Sequence, residues 1–211
     1  MKVAEKKEWA HEVVGRLRTE YPDAECALIH KNPYELVVAT VLSAQCTDEM
    51  VNKVTPALFR RYPTPDKLGR ARQETVEKLI HSTGFYRNKA KNIRGLGKKL
   101  TEDFDGEVPR TMDELLSLPG VARKTANVVL GVAYGIAEGI VVDTHVKRIT
   151  KLLGLTRQTD PVKVEKDLVK LLAQDDWIDI SHLLIWHGRK VCIARRPRCD
   201  ACLLADRCPA A

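Results

Sequence analysis

"LPGVARKTA", residues Leu118–Ala126, decides the fold. Pro119-Gly120 makes a turn, and an apolar helical pattern begins directly after it, from about Val121 to Tyr134. Gly120 lets the turn be tight without a Cβ penalty. Upstream, Thr111 and Glu114 stand in the order Thr-x-x-Glu. This capping box starts a short helix through Leu115 and Leu116, which Pro119-Gly120 ends. Two helices joined by "LPGV" make a helix-hairpin-helix. The second helix then presents unpaired backbone N–H groups at its start, and these, with the helix dipole, bind a phosphate. An ordinary αα-turn has the same spacing. Lys124 lies in the first helical turn, where positive charge is disfavoured. Beside Arg123, and partly desolvated, its neutral form is favoured, and a neutral lysine amine is a nucleophile that forms Schiff bases. The plainer reading makes Lys124 a second phosphate-binding cation.

Nineteen residues beyond Lys124, Asp143 opens "DTHVKR" after an apolar run. Asp143 or Thr144 caps a helix there. The two roles open to Asp143 are compatible. Capping N–H groups hold a carboxylate ionised, and an ionised carboxylate stabilises positive charge developing at an anomeric carbon, as in glycoside cleavage. His145 is placed to assist or to bind phosphate, or simply to pack.

Almost every other segment has helical period. Trp9, Ala10, Val13, Val14 and Leu17 form one stripe; Leu36–Leu42 and Val51–Leu58 form two more, the latter capped by Thr47 or Asp48. Further helices carry Ala90, Ile93, Leu96 and Leu100, then Val146 to Leu153, then Val164 to Leu172 after Asp160-Pro161, and finally Trp177 to Trp186. Strand signals reduce to "GIVVD". The expected fold is all-α, and Gly135 and Gly139 mark the crossing between two helical lobes.

The 211 residues carry 35 Lys+Arg against 28 Asp+Glu, a net charge of +7. This balance suits a polyanion, most simply nucleic acid. No signal-type run opens the chain, and the most apolar stretch, Ala126–Val142, contains Asn127, Tyr134 and Glu138. It falls short of the ~20 apolar residues of a membrane span, so the expected setting is cytoplasmic with no membrane. Cys192, Cys199, Cys202 and Cys208 are separated by six, two and five residues. Four thiols within seventeen residues indicate one metal centre. Chemistry alone leans to zinc, the commoner structural site, although thiolates suit iron–sulfur clusters equally. Arg195, Arg196 and Arg198 lie on the loop between the first two cysteines and can present cations to DNA phosphates, or form a merely solvated loop. Cys26 and Cys46 fit small core residues.

"LPGVARKTANVVLG" followed by "VVDTHV" resembles the helix-hairpin-helix DNA glycosylases, specifically the endonuclease III family. The resemblance continues in "VLSAQCTD" (Val41–Asp48), "GFYRNKAKNI" (Gly84–Ile93) and "HGRKVCIARRPRCDACLLADRC" (His187–Cys208). One departure is visible: the hairpin is usually Pro-Gly-Val-Gly, and here Ala122 replaces the second glycine. Ala keeps the N–H donor but gives up positive φ.

The resemblance implies two helical lobes: a six-helix barrel at about residues 24–135 containing the hairpin, and an iron–sulfur cluster domain made of residues 1–23 with 136–211. It implies an active site in the cleft between them, a 4Fe–4S cluster on the four cysteines, and a monomer acting on duplex DNA containing damaged pyrimidines or abasic sites. The implied chemistry is base removal followed by β-elimination, with Lys124 attacking the sugar and Asp143 stabilising it. Gly120, Ala122, Arg123 and His145 become DNA contacts. Gln45 fills the gap left by the flipped base, Phe85 wedges the opposite strand with Tyr86 beside it, and Asp48 lines the lesion pocket. From residue type alone, Phe85 and Tyr86 serve equally as core and Asp48 as a cap. Adenine-mismatch glycosylases share the hairpin and cluster but lack the lysine. A non-enzymatic DNA-binding module explains the charge, but not Lys124 together with Asp143.

Overall fold

The protein is described by a computed structural model covering residues 2–211. It is all-helical, with no strand among the described residues. In order the helices are α1 (Val3–Glu20), α2 (Pro33–Leu42), α3 (Asp48–Arg61), α4 (Pro65–Gly69), α5 (Gln73–Ile80), α6 (Tyr86–Asp103), α7 (Met112–Leu116), α8 (Arg123–Tyr134), α9 (Thr144–Leu152), α10 (Pro161–Leu168) and α11 (Trp177–Lys190). "GIVVD" forms no strand among the described residues. The chain divides into two compact units: Ala27–Ile136, and Ala137–Ala211 together with the residues up to Cys26.

Caps set the helix starts. Asn32 accepts from the Glu35 amide at 2.9 Å, so α2 begins at Pro33, three residues before the apolar run. Thr47, not Asp48, caps α3 by accepting from the Met50 amide. Asp143 caps α9 and Asp160 caps α10, each placing its oxygen on an amide that the first turn leaves unpaired. α10 stops at Leu168, and Leu171 and Leu172 stay buried in the turn beyond.

In the unit Ala27–Ile136, α6 is the supporting beam. Its buried stripe is Ala90, Ile93, Leu96, Gly97 and Leu100, the 3.6-residue period of a core-facing helix. α4 lies against it through two glycines: a Cβ at Gly97 would stand 2.6 Å from the Pro65 carbonyl, and one at Gly69 2.7 Å from the Lys98 amide. The α7–α8 hairpin also leans on α6, with a Cβ at Gly95 reaching 3.3 Å from Pro119. The other unit has its own core. Trp9 is fully buried and donates through Nε1 to the Leu153 carbonyl at 2.9 Å. Val13, Leu17, Val146, Ile149, Ile180 and Leu184 close around it.

Candidate functional site

The hairpin forms as Pro119-Gly120 dictates. Gly120 has φ +80°, and a Cβ there would meet Asn92 Cβ at 2.9 Å, so the position demands glycine twice over. Ala122 answers the departure noted in the sequence: it is extended, with φ −103° and ψ 170°, a region alanine occupies freely. Positive φ is not needed there. α8 begins without a side-chain cap. Its N-cap therefore offers no side-chain acceptor to the first-turn amides, the arrangement that suits an anion.

Lys124 is the second residue of α8, and it and Arg123 are both exposed. The partial desolvation expected of Lys124 is absent from the free chain, because the turn lies at the surface. A bound duplex would have to supply it. Asp143 belongs to the other unit. It is half-buried, and its Oδ1 accepts from the Val146 amide at 2.8 Å. That bond takes one carboxylate oxygen and fixes the side chain's direction. His145 follows on α9. Its Nδ1 is buried without a hydrogen-bond partner, and the ring lies on Gly188 of α11, where a Cβ would come within 2.6 Å of Nδ1. The packed reading of His145 therefore describes the free protein.

Three exposed residues of the first unit, Gln45, Phe85 and Asp105, have a left-handed backbone, and two of them are site candidates. Gln45, in the turn between α2 and α3, has φ 52°; Phe85, entering α6, has φ 46°. Both lie in the left-handed region, which costs a non-glycine residue of order 1–3 kcal/mol and clusters at functional sites. Phe85 is 65% exposed, which removes the core reading that residue type had left open. Tyr86 is half-buried, its ring 4.4 Å from that of His81. Asp48, half-buried, opens α3 beyond the true cap.

The four C-terminal cysteines line one cavity, whose apolar wall includes Ile149, Leu152, Leu153 and Val191. Among the described residues no three Cys, His, Asp or Glu side chains group so as to hold a single metal ion; the thiols stand around a space. Burial pushes the Cys202 thiol up, and negative charge on Cys192, Cys208 and Cys199 pushes it further. Four thiolates in this setting call for a positively charged centre to share. Neighbours already point at the sulfurs. Arg148 donates to Cys192 Sγ at 3.4 Å and to the Cys192 carbonyl at 2.6 Å. His187 Nε2 lies 3.5 Å from Cys202 Sγ, and its Nδ1 3.2 Å from the Tyr21 hydroxyl. Burial, assisted by Arg148, drives His187 down to about 4, so the ring is neutral. The tautomer in which the Tyr21 hydroxyl donates to Nδ1 puts the ring proton on Nε2, facing the sulfur. The set fits an iron–sulfur cluster held by Cys192, Cys199, Cys202 and Cys208.

The segment is tied down from α1. Arg16 donates to the Leu203 carbonyl at 2.7 Å and to Asp206 at 2.6 Å, and Arg207 pairs with Glu12. Between the first two cysteines, Arg195, Arg196 and Arg198 are exposed around a surface depression. A backbone bond from the Arg198 amide to the Val191 carbonyl, 3.0 Å, closes the loop.

Lys89 is a functional candidate that sequence reasoning missed. It sits inside "GFYRNKAKNI" as one more cation of a basic helix, yet it is buried. Its place in the α6 stripe, one residue before Ala90 and four before Ile93, is the signal that could have found it.

Residues 38–174 match the family described as HhH-GPD superfamily base excision DNA repair protein. Residues 192–208, first cysteine to fourth, match the iron-sulfur binding domain of endonuclease III, which overturns the lean toward zinc. The endonuclease III of Synechocystis sp. is 58% identical over 210 residues, spanning 100% of this chain and 96% of its own length. That of Bacillus subtilis is 52% identical over 189 residues, spanning 89% of this chain and 86% of its own. A solved structure described as a trapped endonuclease III–DNA covalent intermediate has a TM-score of 0.91 at 46% identity, covering 97% of this chain and 96% of that one.

Proposed function

We propose that in this chain, which belongs to the endonuclease III family of HhH-GPD base excision DNA repair proteins, Lys124 is the nucleophile and Asp143 its electrostatic partner. The chain is a bifunctional DNA N-glycosylase and abasic-site lyase that carries a 4Fe–4S cluster and acts on DNA. The substrates proposed are oxidised or ring-damaged pyrimidines and abasic sites. The observation that carries the assignment of roles is the start of α8, which has no side-chain cap and sets Lys124 in its first turn just after the Gly120 turn.

The hairpin amides take a phosphate and set the register of the duplex without reading sequence. The damaged nucleotide leaves the stack, with Gln45 and Phe85 entering the space and offsetting lost stacking. Asp48 lines the pocket for the displaced base, and Tyr86, Arg123 and His145 contact the surrounding DNA. A duplex lying over α8 excludes water from Lys124, which favours the neutral amine. The amine attacks C1′, the glycosidic bond breaks, and the base leaves with its bonding electrons, taking up a proton. Asp143, its Oδ1 fixed by the Val146 amide, stabilises the cationic sugar. The amine nitrogen loses its protons as the ring opens, giving a Schiff base. That imine acidifies C2′; loss of a C2′ proton expels the 3′ phosphate, which cuts the strand 3′ to the lesion.

Cys192, Cys199, Cys202 and Cys208 hold the cluster, which supplies a multiply bonded cross-link and no step of the reaction. The cross-link pins the loop bearing Arg195, Arg196 and Arg198, which grip the backbone electrostatically. All of these residues lie on one chain, and the working unit proposed is a monomer. Among the described residues no helix is long and apolar enough to cross a membrane, and the substrate places the work in the cytoplasm, at the nucleoid. The test is incubation with a duplex carrying one abasic site, in the presence of chelator and without nucleotide. Cleavage 3′ to the site is expected; binding without cleavage would sink the assignment and favour a DNA-binding module.

A further inference from the structure

Lys89 is a buried cation that the chemistry above does not use. It is 4% exposed, whereas Arg87 and Asn88 beside it are exposed. Burying an ammonium is costly unless its donors are satisfied, and burial does push this amine down, with Cys46 opposing. Its Nζ donates to the Thr83 carbonyl at 2.7 Å. Its backbone N–H donates to the Phe85 carbonyl at 3.0 Å. One residue thus grips the two carbonyls on either side of Gly84.

What lies between those carbonyls gives the grip its meaning. Gly84 has φ 69° and Phe85 φ 46°, two successive residues at positive φ, the second a bulky aromatic in the left-handed helical region. Such a backbone persists only where its surroundings over-determine it. The far anchor is firm, since Thr83 is buried and its hydroxyl donates to the Ile80 carbonyl at 2.8 Å.

We propose that Lys89 is a positioning residue: its ammonium, bonded to the Thr83 carbonyl, holds the Gly84–Phe85 backbone so that Phe85 stands out ready to enter the duplex. The inference rests on the reading of Phe85 as the opposite-strand wedge. A side chain already held in its inserting attitude enters without an ordering cost. Lys89→Met fills the same space but donates nothing.

The probe is a duplex with a tetrahydrofuran abasic analogue and 2-aminopurine opposite it, whose fluorescence rises when the wedge unstacks it. The intact protein, Phe85→Ala, Lys89→Met and the double variant are compared at a temperature where circular dichroism shows each folded. Phe85→Ala removes most of the rise. Lys89→Met lowers it and weakens binding about fivefold, because the wedge must now be ordered on contact. The double variant binds no worse than Phe85→Ala, since the two residues act through one contact. Should Lys89→Met fail to fold, Lys89→Gln, too short to reach the Thr83 carbonyl, is read in the same way. A full rise in the Lys89 variant, or losses in affinity that multiply in the double variant, would overturn the proposal and leave the wedge standing. A Phe85→Ala protein that still gives the full rise would overturn both.

Discussion

Replacing Gly120 by alanine tests the hairpin at its tightest point. A left-handed conformation costs an L-residue roughly 1–2 kcal/mol. At φ +80° the new methyl would also stand 2.9 Å from Asn92 Cβ. That atom is the root of its side chain and cannot swing away, so either α6 or the turn shifts. Overpacking of this kind costs about 1–3 kcal/mol. Taking ~3 kcal/mol as the sum, the midpoint of thermal unfolding falls by roughly 6–12 °C, at about 2–4 °C per kcal/mol for a chain of this size. Displacing one amide from a phosphate removes a further ~1.5–3 kcal/mol of binding, on the order of 10- to 100-fold in Kd. Differential scanning calorimetry and fluorescence anisotropy on an abasic-analogue duplex measure the two effects. Ala122→Gly is the comparator. At its extended φ of −103°, the better N-cap preference of glycine is offset by its greater chain entropy, for a net change within about 0.5 kcal/mol. If Gly120→Ala unfolds at the parent temperature and binds DNA normally, the turn does not work as described.

Asp143→Asn keeps a good N-cap and removes the charge; stability is held while base removal slows by roughly 10²–10³-fold, the usual worth of one preorganised electrostatic contact. Parent-like single-turnover rates would show that Asp143 is only a cap. Phe85→Ala lowers thermal stability by no more than about 0.5 kcal/mol, since an exposed side chain loses little on truncation, yet weakens lesion binding; a large loss of stability with normal affinity reverses that reading. Exchanging Arg195, Arg196 and Arg198 together for glutamine flattens the salt dependence of binding by about 0.9 per lost phosphate contact, and an unchanged slope in a salt titration means that the loop does not touch the backbone.

Much of this was legible in the chain. "LPGV", Thr111 as an N-cap, and Asp160-Pro161 each carry their own local physics, and the structure realises all three; the capping box itself is half formed, because Glu114 accepts from the Thr111 hydroxyl rather than from its amide. The α4 and α5 helices left a fainter trace. Five and eight residues long, they hold too little periodicity to register, although Thr64-Pro65 is a helix start. Lys124 and Asp143 stood out because each is an unusual residue for its place. Lys89 did not, because a lysine's burial is decided by what packs over it, and neither Thr83 nor Cys46 announces that in sequence. The solvation of Lys124 is tertiary in the same way: the hairpin motif says where the amine sits, not how much water surrounds it.

The central claim is that a single amine, that of Lys124, bonds covalently to the deoxyribose. Borohydride reduction during turnover on an abasic-site duplex measures this directly. The parent protein is expected to give a stable cross-linked species whose peptide map places the sugar on Lys124, and Lys124→Gln to give none while still binding DNA. A cross-link of undiminished yield in Lys124→Gln would contradict the account.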